Sequence, residues 1–540
     1  MRSFRQRFSE QDKQLKTPLP VCGEKFIKTV GRWLFLCLCS VGTATLMVVS
    51  YPKYSQSFLA WLALAPFIWG ITKTRSFLSS LFYSWFTGLL INAGVFYWIY
   101  YTCLHGGGLS QGLSLAAWLG LSGVLAIQFA CFGVSCYYLR NAEGYFPLLA
   151  ACAFVTWEWL HQVLAFHGLG FPWLMLGYTQ WNAPEFIQIA SLAGTYGVSF
   201  VIAFTGASIG WAFVEPSIKR ATTYMLLAAG VFLGSFMYGH FRLPEGSSPR
   251  QSLLSVSAAV LQPNIDQYKK WDDAFEEEIV QTITEMGKEL EGKNVMLAVW
   301  PESTVPGSLL EEKYRHLFED ISSLSGAHQL IGSNIPQANW QYVGNYLMTP
   351  NQEDLQEYRK IKLVPFGEYI PLEDFLKTLF PNVAILGELG SFTAGSQQQD
   401  LLNLAGVPLG TTICYESVFP QLWLSQNRRG AKLFVNTTND AWFFDTSAPY
   451  QHLAVNVLRA AEMGRPVLRS ANTGFSAVID AYGRIEKASG LFTQETLLST
   501  VPLSAGDSVN FYTKWGEWFA WLCAIFYFTL LISLVVFSYE

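Results

Sequence analysis

Charge is scarce in this sequence. Asp, Glu, Lys and Arg make up 14% of its 540 residues, and 51% are hydrophobic. A soluble domain carries about 25% charge, so a wholly aqueous globular chain is excluded from the start. A mean hydropathy of +0.25 agrees. No basic stripe of the kind that grips nucleic acid is present, and the net charge is −5. Lys and Arg are missing altogether from 102–109 and from 167–186. Cysteine is absent from 244–514 save for Cys414, so that segment has no internal disulfide. Internal repeats are lacking as well.

What is present is a series of apolar runs. Seven crowd the first half, at 31–50, 56–73, 77–101, 110–138, 145–166, 187–213 and 221–240, and an eighth lies at 516–538. A bilayer crossing needs roughly 20 apolar residues, which puts 56–73 near the lower limit. Basic residues precede the first run, with Lys25, Lys28 and Arg32 nearest to it. They recur at Lys73 and Arg75, at Arg140, and at Lys219 and Arg220. The positive-inside rule then places the N-terminus in the cytoplasm and 241–514 on the far side. The long polar leader and the lack of a small-residue cleavage site make the first run a retained span rather than a signal peptide. The expected organisation is a basic leader at 1–30, a seven-helix membrane domain at 31–243, an exported domain at 244–514 and a last span at 515–540.

Residues 244–514 read as one α/β domain of about 270 residues. Strands are expected at 253–261, 295–300, 329–333, 408–414, 432–437, 475–480 and 484–488. Helices are expected at 274–291, 311–324 and 451–464. Three polar residues end apolar strands: Glu302 in WPES, Lys360 in YRKIKLVPFGEYIP and Cys414 in TICYES. Strand ends are where α/β folds place their chemistry. A thiol is a weak nucleophile until a base takes its proton. A carboxylate does that, and an ammonium steadies the thiolate and the oxyanion that follows. Glu302 fits the base, Lys360 the charge stabiliser and Cys414 the nucleophile. The N–H of Tyr415 is the natural second oxyanion donor. Glu368 and Glu416 lie near enough in sequence to orient Lys360. The lone thiol of 244–514 is thus read as a reagent.

These residues resemble the nitrilase superfamily, which uses Glu, Lys and Cys in that chain order. More closely, the sequence resembles the membrane-embedded branch, the apolipoprotein N-acyltransferases. The motifs that carry the likeness are LQPN (261–264), Trp271, WPES, Asn345, LVPFGEYIP, ICYES, NDAWF (439–443), QH (451–452), RPVLRSANTG (465–474), and GFPW (170–173) with GYTQ (177–180) among the spans. The resemblance implies eight transmembrane helices plus an exported nitrilase-like αββα sandwich. It implies a phospholipid acyl donor, phosphatidylethanolamine, and ping-pong transfer through a Cys414 thioester. The acceptor is the N-terminal diacylglyceryl-cysteine of an apolipoprotein, in the last step of lipoprotein maturation. Catalysis calls for no cofactor and no metal. Trp271, Asn345 and Trp442 are implied to bind substrate. The setting is a monomer in the bacterial inner membrane, its catalytic domain in the periplasm. A tethered amidase would not need eight spans, and a mere binding module would not need the Glu-Lys-Cys set.

Other signals are weaker. Glu158 is a costly carboxylate inside a span, and His161 stands where the family commonly has arginine. This leaves open whether Glu158 has a fixed ionic partner. His452 is expected to be a structural helix residue. GASIG (206–210) matches a serine-hydrolase elbow, but it sits inside an apolar run with no strand before it. HGGG (105–108) resembles a lipase oxyanion loop and is likewise set aside. The segment 372–400 is a candidate lid on length and glycine content.

Overall fold

The structure is a computed structural model that describes residues 21–142, 144–244, 254–337, 340–352, 354–371, 392–503 and 510–537. Most of the basic leader and residues 372–391 of the candidate lid lie outside the described residues.

The N-terminal region is a bundle of apolar helices: α1 (Val21–Ser50), α2 (Ala60–Ile71), α3 (Phe77–Val95), α4 (Gln111–Leu139), α5 (Phe146–Phe166), α6 (Thr195–Ala212) and α7 (Ile218–Arg242). Six of these are long and apolar enough to cross a membrane, and α2 is shorter. Two expected runs are cut back. The run at 187–213 becomes one long helix only from Thr195, because Gly194 at φ +68° breaks it from the short helix Ala190–Ala193. The run at 77–101 ends at Val95 and re-forms as one turn, Trp98–Tyr101.

Small residues let these helices approach one another. A Cβ on Gly210 would lie 2.6 Å from the Ala65 carbonyl oxygen, and one on Gly206 would lie 3.1 Å from Leu64 Cβ. GASIG is therefore a Gly-x-x-x-Gly packing face of α6 against α2, which is why it mimics a hydrolase motif. Most of α6 is buried. Leu113, Leu115, Leu119, Val124 and Ile127 of α4 are exposed, as a lipid-facing stripe should be.

Among the described residues the second region has twelve strands in two six-stranded sheets. The first sheet holds β1 (Ser255–Gln262), β2 (Leu297–Val299), β3 (His328–Gln337), β4 (Trp340–Met348) and β5 (Leu355–Arg359). The second holds β6 (Leu402–Leu404), β7 (Val407–Ile413), β8 (Leu433–Thr438), β9 (Val467–Ala471), β10 (Ala477–Ile479) and β11 (Ile485–Ala488). β12 (Glu495–Pro502) returns to the first sheet beside β1, and the orders are 12-1-2-3-4-5 and 11-10-9-8-7-6.

Side chains alternate between the faces of each strand. Val256, Val260, Val299 and Leu330 face the inter-sheet core with Leu409, Val435 and Leu468. Ala259, Leu261, Ala298 and Ile331 face outward against α8 (Glu276–Lys288) and α9 (Glu312–Ser325). α10 (Pro420–Arg428) and α11 (Ala448–Met463) belong to the second sheet's side. The result is an αββα sandwich. An apolar helix, α12 (Trp518–Phe537), packs against α5, where Trp159 Nε1 donates to Glu517 Oε2 at 2.8 Å.

The two regions meet along α11. Gln451 Oε1 accepts from the indoles of Trp98 at 3.2 Å and Trp173 at 3.0 Å, and its Nε2 donates to the Val95 carbonyl at 3.1 Å. Helix α11 thus touches membrane-side elements on one face and the nucleophile's turn on another.

Candidate active site

Glu302, Lys360 and Cys414 follow β2, β5 and β7. β2 and β5 lie in one sheet and β7 in the other, so the sandwich brings three strand ends together. Lys360 Nζ lies 2.9 Å from Glu302 Oε1 and 2.6 Å from Glu368 Oε1. Burial alone would pull the Lys360 ammonium down. The Glu302 and Glu368 carboxylates outweigh it and hold the group well above its ordinary value. Burial pushes Glu368 up, Glu302 adds to that, and Lys360 opposes it. Glu302 is fixed on its other oxygen, where Oε2 accepts the Asn439 N–H at 3.0 Å. Glu368 is fixed likewise by the Val364 N–H at 2.9 Å.

Cys414 opens a 3₁₀ turn, Cys414–Val418, at φ +50°. A non-glycine residue in that region costs of order 1–3 kcal/mol and persists only where its surroundings over-determine it. Two groups do so. Glu416 accepts the Ile413 N–H at 2.7 Å and the Tyr358 hydroxyl at 3.1 Å on Oε2. Its Oε1 accepts the Ile361 N–H at 2.5 Å and the Lys362 N–H at 3.1 Å. One buried carboxylate therefore ties the end of the nucleophile strand to the end of the lysine strand. Burial pushes Glu416 up to about 7, against those N–H donors and Lys360. On the other side, His452 Nε2 lies 3.0 Å from the Cys414 carbonyl oxygen, and its Nδ1 lies 2.9 Å from Asp440 Oδ1.

Asp440 has its other oxygen 2.7 Å from Arg469. Burial would raise this carboxyl, but Arg469 and His452 prevail and hold it at about 2. Ser417 Oγ also lies 3.0 Å from His452 Nε2, so a Ser-His-Asp geometry stands behind the cysteine. Ser417 has no exposed surface, and Asp440 is already paired with Arg469. The grouping serves as a brace. The thiol itself is pushed up by burial and by Glu302, while Lys360 pulls it down. Tyr415 lies in the first turn of the 3₁₀ helix, where N–H groups lack intrahelical acceptors.

The remaining expected residues divide. Trp271 and Trp442 are 51% and 41% exposed, outside the buried cluster. Asn345 is fully buried on β4, where its Oδ1 accepts the Thr437 hydroxyl of β8 at 3.0 Å and bridges the two sheets. Glu158 Oε1 accepts the Leu176 N–H at 2.6 Å, while His161 Nδ1 meets Gln128 Oε1 at 2.8 Å, so each has a different polar partner. The loop that follows lays Phe171 against Tyr415, with ring centroids 5.6 Å apart and planes at 13°. HGGG begins in the last two residues of a π-helical turn, Thr102–Gly106, whose Thr102 hydroxyl donates to the Trp442 carbonyl at 3.0 Å. Sequence reasoning passed over Lys270, a fully buried lysine 3.5 Å from the Glu302 carbonyl. A lysine beside the exposed Trp271 carried no signal of burial.

Comparison with known proteins fits this arrangement. The carbon-nitrogen hydrolase family matches residues 257–511, and the apolipoprotein N-acyltransferase N-terminal domain matches 43–208. An apolipoprotein N-acyltransferase of Geobacter metallireducens is 34% identical over 500 residues, covering 90% of this chain and 92% of that protein. One from Methylococcus capsulatus is 32% identical, covering 86% and 92%. Among solved structures, a mutant of the Nesterenkonia AN1 amidase aligns at 20% identity with a TM-score of 0.37, over 48% of this chain and 94% of that one. Single relatives thus match most of the chain at 34% and 32% identity, and the chain belongs to the apolipoprotein N-acyltransferase family.

Proposed function

We propose that this acyltransferase takes an acyl chain from a phospholipid, phosphatidylethanolamine, as a thioester on Cys414. It then passes the chain to the α-amine of the diacylglyceryl-cysteine of an apolipoprotein. Glu302 removes the thiol proton and later returns it to the leaving alkoxide. In the second half it accepts the proton of the attacking amine and returns it to the departing Cys414 thiolate. Lys360, held charged, and the Tyr415 N–H stabilise the oxyanion in each half. Glu368 orients Lys360, and Glu416 sets the spacing of the lysine and cysteine strands. Trp271 and Trp442 meet the lipid at the rim, and Asn345 supports the site from beneath by joining the sheets. The chain acts as a monomer in the bacterial inner membrane. It crosses eight times, with α2 as its shortest crossing and α12 as its last, and the sandwich faces the periplasm. The boundaries 31–243 and 244–514 separate membrane and catalytic domains.

The observation that carries this reading is the Glu302–Lys360–Glu368 cluster, set at the same strand ends as a cysteine held at φ +50°. The test uses the full chain in detergent with phosphatidylethanolamine. Mass spectrometry should find one acyl chain on the Cys414 peptide. A diacylglyceryl-cysteinyl peptide should then discharge it and gain the same mass. Cys414→Ala should yield neither product. An N-acylated peptide formed without any adduct on Cys414 would sink the mechanism.

A further inference from the structure

A second ammonium lies beside the Glu302–Lys360–Glu368 cluster, and the chemistry above leaves it idle. Lys270 sits in the loop after β1 and has no exposed surface. That loop is fastened to the site's own supports. The Ile265 N–H donates to Asn472 Oδ1 at 2.9 Å, and Asn472 Nδ2 donates to the Ile265 carbonyl at 2.8 Å. Asn439 Nδ2 donates to Gln267 Oε1 at 2.6 Å. Asn439 is also the residue whose N–H holds Glu302. The lysine loop and the glutamate support are therefore one hydrogen-bonded unit.

Lys270 Nζ has three protons to donate, and its hydrogen bond among the described residues is the 3.5 Å approach to the Glu302 carbonyl. Burying an ammonium with so little compensation is unfavourable unless a nearby charge offsets it. The cluster supplies that charge. Two buried carboxylates, Glu302 and Glu368, share one ammonium, Lys360. Among the described residues, the other ionisable groups around them are the Cys414 thiol, Asp440, already neutralised by Arg469, and Glu416, which Lys360 also faces and whose oxygens accept four hydrogen bonds of their own. Without Lys270 the cluster holds one negative charge in excess. With it, the charges balance.

We propose that Lys270 is a positioning residue that supplies the missing positive charge and so keeps both carboxylates ionised around Lys360. Its own ammonium is drawn down by burial to about 8, with Glu302 opposing, and so is mostly charged at neutral pH. The inference rests on the reading of Glu302 as the base.

The test is the pH profile of single-turnover acylation of Cys414. It compares the parent, Lys270→Met, Lys270→Arg, and Lys270→Met in a Glu368→Gln background. Loss of the charge should move the acidic limb of Lys270→Met up by about one pH unit, the lower end of the effect of a close opposite charge. The plateau rate should change by less than about threefold. Lys270→Arg should restore the parent limb. Removing one carboxylate charge removes the excess, so in the Glu368→Gln background the shift should shrink by more than half. An unmoved limb in Lys270→Met overturns the inference. So does a shift that arginine does not reverse, or one of equal size in both backgrounds. Lys270→Gln carries the same test if the methionine variant does not fold. A parent enzyme that never acylates Cys414 sinks the proposed function itself, which is a separate outcome from normal acylation with an unmoved limb.

Discussion

Glu416→Gln is the sharpest probe of how the two sheets are held in register. The carboxylate accepts four hydrogen bonds, two on each oxygen. An amide has one oxygen and one NH₂ group. If the oxygen faces Ile361 and Lys362, the NH₂ group faces the Ile413 N–H and strands it, while the Tyr358 hydroxyl can turn to accept. If the amide flips, both the Ile361 and Lys362 N–H groups are stranded. The first orientation is cheaper and leaves one buried donor unpaired, at about 1–3 kcal/mol. The unfolding midpoint in detergent should fall accordingly. Acylation should fall at least roughly tenfold, because about 1.4 kcal/mol lost in aligning Lys360 with Cys414 is a factor of ten. The pH dependence adds a second reading. Glu416 rises to about 7 in the fold, above its ordinary carboxylate value. Its contribution to stability is fully present below the unfolded pKa and is lost as pH rises through about 7. The parent should therefore lose stability between about pH 4.5 and 7, and Glu416→Gln should lack that slope. An unchanged midpoint with unchanged acylation would refute the clamp.

Other outcomes follow from the same geometry. Gly210→Val should lower the yield of folded protein in the membrane, since its Cβ would lie 2.6 Å from the Ala65 carbonyl and overpacking costs about 1–3 kcal/mol. Size-exclusion chromatography of solubilised membranes reads this, and a normal monodisperse peak argues against α6–α2 contact. Asn345→Ala should lower the unfolding midpoint by the loss of the Thr437 bond, about 1 kcal/mol, without raising KM for phospholipid. A raised KM with an unchanged midpoint would place Asn345 in contact with substrate. Trp442→Ala should do the reverse, raising KM several-fold at an unchanged midpoint. Glu158→Gln should behave as the parent because it still accepts the Leu176 N–H, whereas Glu158→Leu should lose activity.

Much of this arrangement was legible in the sequence, for identifiable reasons. The expected strands at 408–414 and 432–437 became β7 and β8 because short β-branched runs between turn residues leave few alternatives. The stop at Cys414 was visible because TICYES breaks an apolar run with polar residues. β4 was not foreseen, and β5 was implied only by the reading of Lys360 as a strand end. Their residues mix aromatic and polar types, and their pairing is decided across the sheet, β4 on β3 and β5 on β4, rather than by local pattern. The helix at 187–213 was overextended because hydropathy does not register the break at Gly194. Glu302, Lys360 and Cys414 could be named because each ends a strand within a distinctive motif. The same reasoning missed Lys270, since its surroundings are built by residues such as Asn439 and Asn472, distant from it in the chain. Sequence patterns report faces and ends; they do not report which loop is folded in beside which carboxylate.

The state of the thiol before substrate arrives bears on how this site avoids waste. Burial and Glu302 push the Cys414 thiol up, and Lys360 only partly offsets them. The resting cysteine is then a protonated thiol, not a thiolate. A thiolate is the reactive form toward electrophiles, so the resting cysteine should resist small alkylating agents. At pH 8 iodoacetamide should modify Cys414 at least tenfold more slowly than free cysteine, read on the tryptic peptide. Saturating the enzyme with a non-cleavable ether phospholipid should not speed this reaction, because proton transfer to Glu302 is driven by attack on a carbonyl and an ether offers none. Glu302→Gln removes the negative charge that raises the thiol while leaving Lys360 in place. It should bring alkylation of Cys414 closer to that of free cysteine even as acylation is lost. This divergence separates electrostatics from access, since a cysteine slow only through burial would stay slow in Glu302→Gln. Fast alkylation of the parent, with a midpoint below the free-thiol value of about 8.5, would show instead that Lys360 dominates and that the nucleophile rests as thiolate.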